Sequence, residues 1–447
     1  MQRADAPVSP PVVFTIAGSD SGGGAGIQAD LKTIEAGGAF GTSAITSVTA
    51  QNTTGVQGTH LLPTEEIAAQ IHAVRDDFDV AAVKTGMLAT SEVIDLVVAE
   101  IPLPNLVVDP VMVAASGDRL LAPAAEDAYE ALIAEATLVT PNADETEVLT
   151  GRAIDGPEAA AAAGRDIVEM GAEAALVKGG HVPGDEVVDV LVTPESVTEF
   201  RHDRVDTDAT HGSGCTLSSA IATRLAHGDD LQTAVADGID LLARAVRYNL
   251  DVGRGPGAVH HLVETRNDAA RTETSEAVEE VVSALVAADV APLVPDSGMN
   301  VAGVTPYGES PEDVAAVEGG IAGTVDGIRA NRGVRFGVST RVARRLLAAR
   351  DHDAAYRFAV NCRLSDAVEA GLGDLDGAVA AYDPAARPNG VPTDETVEWG
   401  VSRALDDSDA SPAALLERPA VGVEGSVTLL AEDAETLRER VGTLLDS

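Results

Sequence analysis

From residue 12 to about residue 260, short apolar runs alternate with longer amphipathic ones. VVFTIAG (12–18), NLVVDPVMV (105–113), TLVTPN (137–142) and AALVKGG (174–180) have the length and β-branched content of buried strands. Alanine-rich stretches at 123–135 and 157–170 lie between them and read as helices. This alternation predicts an α/β fold, a parallel sheet covered by helices on both faces. In such sheets ligands bind in loops at the carboxyl ends of the strands. The pattern breaks at ETRNDAARTETS (264–275), a polar stretch without apolar periodicity that reads as a linker. A helix is expected over about 276–290, and the rest reads as a second, smaller α/β domain. The expected boundaries are therefore 1–263, 264–275 and 276–447.

Composition narrows the class. With 447 residues, 45% of them hydrophobic, the chain is long enough for two or three cored domains and is not a disordered one. There are 72 acidic residues against 30 basic, a net charge of −42, and only Lys32, Lys84 and Lys178 are lysines. The acids are spread along the chain and form no block, which points to a surface adapted to high salt, where screening removes self-repulsion. Such a surface excludes nucleic-acid binding through a basic patch. Two cysteines, Cys215 and Cys362, with no CxxC pair, exclude a disulfide scaffold or a cysteine-rich zinc site. No signal peptide or apolar run of membrane-spanning length is present, so a soluble, cytoplasmic protein is expected, with no membrane partner.

Candidate chemistry falls at the strand ends. SDSGGGAGIQADLKT (19–33) is a glycine-rich strand-to-helix loop without the GK[ST] of a Walker motif. It suits a phosphate or a plain tight turn equally. In ATHGSGCTLSSA (209–220), Gly212 and Gly214 let backbone amides converge where a helix begins, an anion hole for a transferring phosphoryl group. Cys215 at that helix start is expected to favour its thiolate and to act as a base towards a substrate hydroxyl; a buried hydrophobe is the plainer reading. VTPNADETEVL (139–149) sets Asn142 and Glu145 three apart, able to hold hydrated Mg²⁺ or to open a helix. VKGGH (177–181) ends a strand with Lys178, a lysine retained where lysine is scarce.

With TSVTAQNTTGVQ (46–57), KTGML (84–88), VVDPVM (107–112) and VGRGPGAVHHL (252–262), these motifs stand in one order. Together they resemble the hydroxymethylpyrimidine/phosphomethylpyrimidine kinases of the ribokinase-like superfamily. The resemblance implies ATP and Mg²⁺ as cofactors and two successive phosphoryl transfers to a thiamine precursor. It implies that Asp30, Gln51 and Met87 hold the aminopyrimidine, and that Lys178, Asn142, Glu145 and Thr210 serve the nucleotide. Asp109 with Glu145 would lie at the metal, and Cys215, with Gly212 and Gly214, at the catalytic position. A homodimer is also implied. Pyridoxal kinase is the nearest alternative.

The second domain resembles an archaeal-type thiamine-phosphate synthase domain. In catalytic versions, the segment matching DVAAVEGGIAG (313–323) carries an arginine where Gly320 stands, and the segment matching FGVSTRVAR (336–344) reads roughly FGASRHVAR. Thr340 and Arg341 thus replace an arginine and a histidine. Two readings follow: a second enzyme consuming the kinase product, or a module that binds thiamine phosphate without turnover. The lost cations favour the second.

Overall fold

The computed structural model describes residues 7–100, 102–112, 125, 128–338, 341–392, 395–406, 408 and 411–447. Strand β1 (Val12–Asp20) is buried along nearly its whole length, and its side chains alternate between two cores. Val13 faces one and Phe14 and Ile16 the other, as the two-residue period of a strand requires. Helix α1 (Gly26–Ala36) follows, then β2 (Phe40–Asn52), β3 (Gly55–Leu61), α2 (Thr64–Arg75), β4 (Val80–Thr85), α3 (Ser91–Ala99) and β5 (Leu106–Val108). Next come α4 (Tyr129–Ile133), β6 (Leu138–Val139), α5 (Ala143–Thr150), α6 (Pro157–Glu169) and β7 (Ala175–Val177). The hairpin β8 (Glu186–Val192) and β9 (Val197–Asp203) and the helices α7 (Ser213–His227) and α8 (Leu231–Arg247) complete the first unit. Helices α1, α7 and α8 cover one face of the sheet; α2, α3 and α4 cover the other.

The sheet runs β3-β2-β1-β4-β5-β6-β7-β8-β9. Its centre is parallel, as expected, but both edges are antiparallel: β3 returns along β2, and β8 and β9 form a hairpin beside β7. Expected strands at 105–113 and 137–142 are shorter than the apolar runs that signalled them. Residue 113 of the first run and residues 123, 124, 126 and 127 of the helical stretch expected at 123–135 lie outside the described residues, and the rest of that stretch contains α4.

The chain divides between Glu264 and Thr265. The expected linker 264–275 is helical: it spans most of α9 (Val263–Ala269) and the start of α10 (Arg271–Ala288). The buried position on that first turn of α10 is filled by Thr274, so no apolar residue marks it. In the second unit β10 (Val301–Val304), β11 (Val314–Val317), the small hairpin β12 (Ile321–Thr324) and β13 (Gly327–Ala330), and β14 (Val334–Phe336) precede α11 (Arg341–Arg350). Then come β15 (Phe358–Arg363), α12 (Asp366–Gly371), β16 (Val379–Tyr382), α13 (Thr396–Asp406), β17 (Ala414–Glu417), β18 (Ser426–Ala431) and α14 (Ala434–Leu445). The main sheet, β14-β11-β10-β15-β18-β17-β16, carries α10, α12 and α14 on one face and α11 and α13 on the other. No helix among the described residues is long and apolar enough to cross a membrane.

Candidate active site

At the carboxyl ends of the parallel strands of the first unit lies a cavity of about 540 Å³. Gln51, Met87, Asp109, Asn142, Glu145, Lys178, Thr210, Gly212, Gly214 and Cys215 all border it. Asp30 does not. Its carboxylate is sealed at 0% exposure, bound by Lys84 Nζ at 2.8 and 2.9 Å, Thr15 Oγ1 at 2.6 Å and Ser219 Oγ at 2.9 Å. With its oxygens committed to these partners, Asp30 has no free edge to offer a ring, which corrects the role expected for it.

Near the glycine-rich loop, the acid that borders the cavity is Asp20, at the end of β1. It accepts the N–H groups of Gly22 (2.8 Å), Gly24 (3.0 Å) and Ala25 (2.8 Å), folding the glycine-rich loop around its carboxylate. His211 Nε2 lies 3.2 Å from the same carboxylate. Burial alone would raise the Asp20 pKa, but His211 and the loop amides outweigh it and hold the group below the ordinary range. Gln51 Nε2 lies 3.5 Å from His211 Nε2, and the Gln51 N–H donates to Ser21 Oγ at 2.8 Å. Asp20, Gln51 and His211 thereby tie the two glycine-rich loops together. The contact between the loops requires glycine: Gly212 has φ +85°, and a Cβ there would lie 1.9 Å from the Gly24 carbonyl oxygen.

Across the cavity, Asn142 and Glu145 make a reciprocal capping box for α5: the Asn142 N–H donates to Glu145 Oε2 (2.8 Å) and the Glu145 N–H to Asn142 Oδ1 (2.9 Å). The plainer reading of this pair therefore holds, yet the cap also aims Glu145 at Lys178, whose Nζ lies 3.9 Å from Oε2. Lys178 Nζ donates to Asp109 Oδ1 at 3.2 Å. Burial would lower the Lys178 pKa, but Asp109 and Glu145 outweigh it and keep the ammonium charged. Burial pushes Glu145 up to about 7, against the pull of Lys178 and with a push from Asp109. A Cβ on Gly214 would lie 3.4 Å from Lys178 Nζ and 3.5 Å from Asp109 Oδ2, so the bare start of α7 faces this charged pair.

Cys215 occupies the first turn of α7, half-buried at the cavity wall. Its thiolate is not favoured, contrary to expectation. Burial pushes the thiol up to about 12; Lys84 and the Gly26 N–H pull it down, while Asp30 and Asp109 push it further up. Desolvation and two carboxylates outweigh the helix terminus, and the thiol is protonated at neutral pH.

In the second unit, Gly320 sits at φ +71° in the turn after β11, where any side chain would be strained. Arg341, at the start of α11, pairs with the buried Glu417. Glu417 also binds Arg345, Tyr382 Oη (3.1 Å) and Ser426 Oγ (3.1 Å). Thr340 lies outside the described residues.

In the first unit, an anion-binding helix start faces a lysine and two carboxylates, with a separate polar corner for an acceptor molecule: the layout of a small-molecule kinase. Known proteins agree. The chain belongs to the phosphomethylpyrimidine kinase family, whose sequence model matches residues 20–260. It is 46% identical over 259 residues to the hydroxymethylpyrimidine/phosphomethylpyrimidine kinase of Streptomyces coelicolor, covering 57% of this chain and 96% of that one. Among solved structures, the ADP complex of Bacillus subtilis pyridoxal kinase superposes with a TM-score of 0.53 at 32% identity, covering 57% of this chain and 98% of that one. Staphylococcus aureus pyridoxal kinase with AMP-PCP and pyridoxal does so at 0.53 and 30%, covering 57% of this chain and 94% of that one. The first unit is thus a kinase of ribokinase-like fold. A second family model, thiamine-phosphate synthase ThiN, matches residues 277–443.

Proposed function

We propose that the first unit uses ATP to phosphorylate 4-amino-5-hydroxymethyl-2-methylpyrimidine and then its monophosphate, giving the pyrophosphate ester. The observation that carries this is the convergence on one cavity of the α7 start, the Lys178–Asp109–Glu145 cluster and the Gln51–His211–Asp20 corner. Gln51 and Met87 hold the ring, and Gly212 and Gly214 place backbone amides beside the transferring group. Lys178, with Asn142 and Thr210 at the rim, neutralises nucleotide phosphate. Among the described residues, no three His, Cys, Asp or Glu side chains cluster to hold a metal by themselves. Asp109 and Glu145 nevertheless fit Mg²⁺, which takes one or two carboxylates plus nucleotide phosphates. When bound, it supplies charge neutralisation along the polyphosphate. A loose transition state asks little of a base, so the protonated Cys215 serves as an S–H donor beside the helix start. In each transfer the acceptor oxygen bonds to the γ-phosphorus and the bond to the ADP oxygen breaks; in the first the hydroxyl proton leaves to solvent, and in the second the acceptor is an already anionic phosphate oxygen. Phosphorus NMR of the chain with pyrimidine, ATP and Mg²⁺ tests this: both esters should appear in sequence, and ADP release without either would refute it.

The second unit binds thiamine phosphate without forming it. This reading is supported by the left-handed backbone at Gly320 and by the pairing of Arg341 with Glu417, which leave a condensing site short of the cations that stabilise departing pyrophosphate. The acidic surface serves a cytoplasm of high salt, and melting temperature should rise with molar KCl. Solution scattering should show a homodimer.

A further inference from the structure

The segment after β7, residues 178–184, borders the cavity and carries Lys178, yet its glycines give it little stiffness of its own. Its rigidity comes from the β8–β9 hairpin. Just past β9, Arg204 donates Nε–H to the Gly184 carbonyl (2.7 Å), Nη1 to that of Gly180 (2.9 Å) and Nη2 to that of Val182 (2.6 Å). A single guanidinium thus gathers three alternate carbonyls of one loop, using donors whose fixed planar fan suits such a crown. Its own backbone is held as well, since the Arg204 N–H donates to the Asp185 carbonyl at 2.9 Å. The near end of the loop is fixed by Asp189 on β8, whose Oδ1 accepts the Gly179 N–H at 2.7 Å, and by the Lys178 N–H donating to the Pro141 carbonyl at 2.9 Å.

We propose that Arg204 is a positioning residue for the nucleotide, acting through this loop. By collecting the three carbonyl oxygens it fixes the loop that presents Lys178. It also neutralises three negative dipole ends that would otherwise repel a polyphosphate. The second effect matters in a chain of net charge −42, where anionic substrates meet an unfavourable field. Arg204, Gly180 and Asp189 border the same cavity as Lys178, while Gln51 and Met87 belong to the opposite, N-terminal half of the sheet. The effect is therefore confined to ATP and spares the pyrimidine.

The proposal rests on the kinase reading, and wild-type turnover in the same assay tests that reading separately. Michaelis parameters are measured on the full chain for Arg204→Ala, Arg204→Lys and each combined with Lys178→Ala. In Arg204→Ala, KM for ATP should rise about tenfold, with kcat and the pyrimidine KM within about twofold of wild type. Arg204→Lys should fall between, because an ammonium cannot span three carbonyls. In the Lys178→Ala background, Arg204→Ala should add less than about threefold, since coupled residues are not additive. An unchanged KM for ATP, an equal rise in the pyrimidine KM, or full additivity with Lys178→Ala would each overturn the proposal. Where Arg204→Ala does not fold, Arg204→Lys decides: a raised KM for ATP alone supports it, and wild-type values refute it.

Discussion

Each unit buries a carboxylate against a cation, and the two are used differently. In the first, Asp30 and Lys84 are both sealed at 0% exposure, with Thr15 and Ser219 completing the shell. In the second, Glu417 holds the buried Arg345 together with Arg341, Tyr382 and Ser426. The Asp30–Lys84 pair closes its own charge at the back of a cavity and leaves Lys178 and Gln51 facing inward. Glu417 instead takes up Arg341, the cation standing where catalytic relatives of that domain are expected to have a histidine. On the proposed reading, a buried ion pair preserves a site when it is self-contained and would consume one when it recruits a residue from the site.

Breaking the two pairs is the largest test of that contrast. Lys84→Met strands the buried Asp30 carboxylate and should cost about 3–5 kcal/mol, read from denaturant melts, whereas Arg345→Met should cost less because Glu417 keeps Arg341, Tyr382 and Ser426. Lys84→Met should also abolish kinase turnover, whereas Arg345→Met should leave it intact below its melting transition. Restoring neutrality with Asp30→Asn in the Lys84→Met chain should recover much of the stability.

A second asymmetry is pH-dependent. Burial, with repulsion from Lys32, His260 and His211, pushes His261 down to about 4 from an ordinary 6.5. The unfolded chain takes up that proton below 6.5 while the native one resists until about 4. The first unit should therefore lose stability as pH falls through that window, by about 3 kcal/mol in all. His261→Gln should flatten the dependence, and an equally steep curve in that variant would assign it to other groups.

Lys178→Ala should lower kcat/KM for ATP about a hundredfold, the signature of a lost phosphate contact. A smaller effect is expected at Cys215. With a protonated thiol, Cys215→Ala should slow both transfers by a similar factor, about tenfold, and Cys215→Ser should retain most activity. Loss confined to the first transfer would restore the base role expected from its position alone.

Much of the candidate kinase site was legible because its residues sit in the loops and first helical turns that follow strands. Lys178, Asn142, Glu145 and Cys215 all reach one cavity. What the sequence hid was partnership. Asp30 pairs with Lys84, 54 positions away, and nothing local marks it as sealed. Asp20 stands inside a motif whose glycines drew attention from the carboxylate that folds it. For Cys215 the helix start was visible, but the burial and carboxylates that oppose it belong to distant segments. The β8–β9 hairpin had a readable two-residue pattern in VTEFRHD, yet the importance of Arg204 depends on carbonyls 20 to 24 positions earlier. The helix over 264–275 was missed because Thr274 fills a buried slot normally signalled by an apolar residue.

The proposed division of labour gives phosphoryl transfer to the first unit and ligand binding without turnover to the second. The most direct measurement incubates the full chain in molar salt with hydroxymethylpyrimidine, ATP, Mg²⁺ and thiazole phosphate, and follows products by phosphorus NMR. The pyrimidine pyrophosphate should accumulate and the thiazole phosphate should remain unconsumed. Conversion of the two into thiamine phosphate, with release of pyrophosphate, would contradict that division.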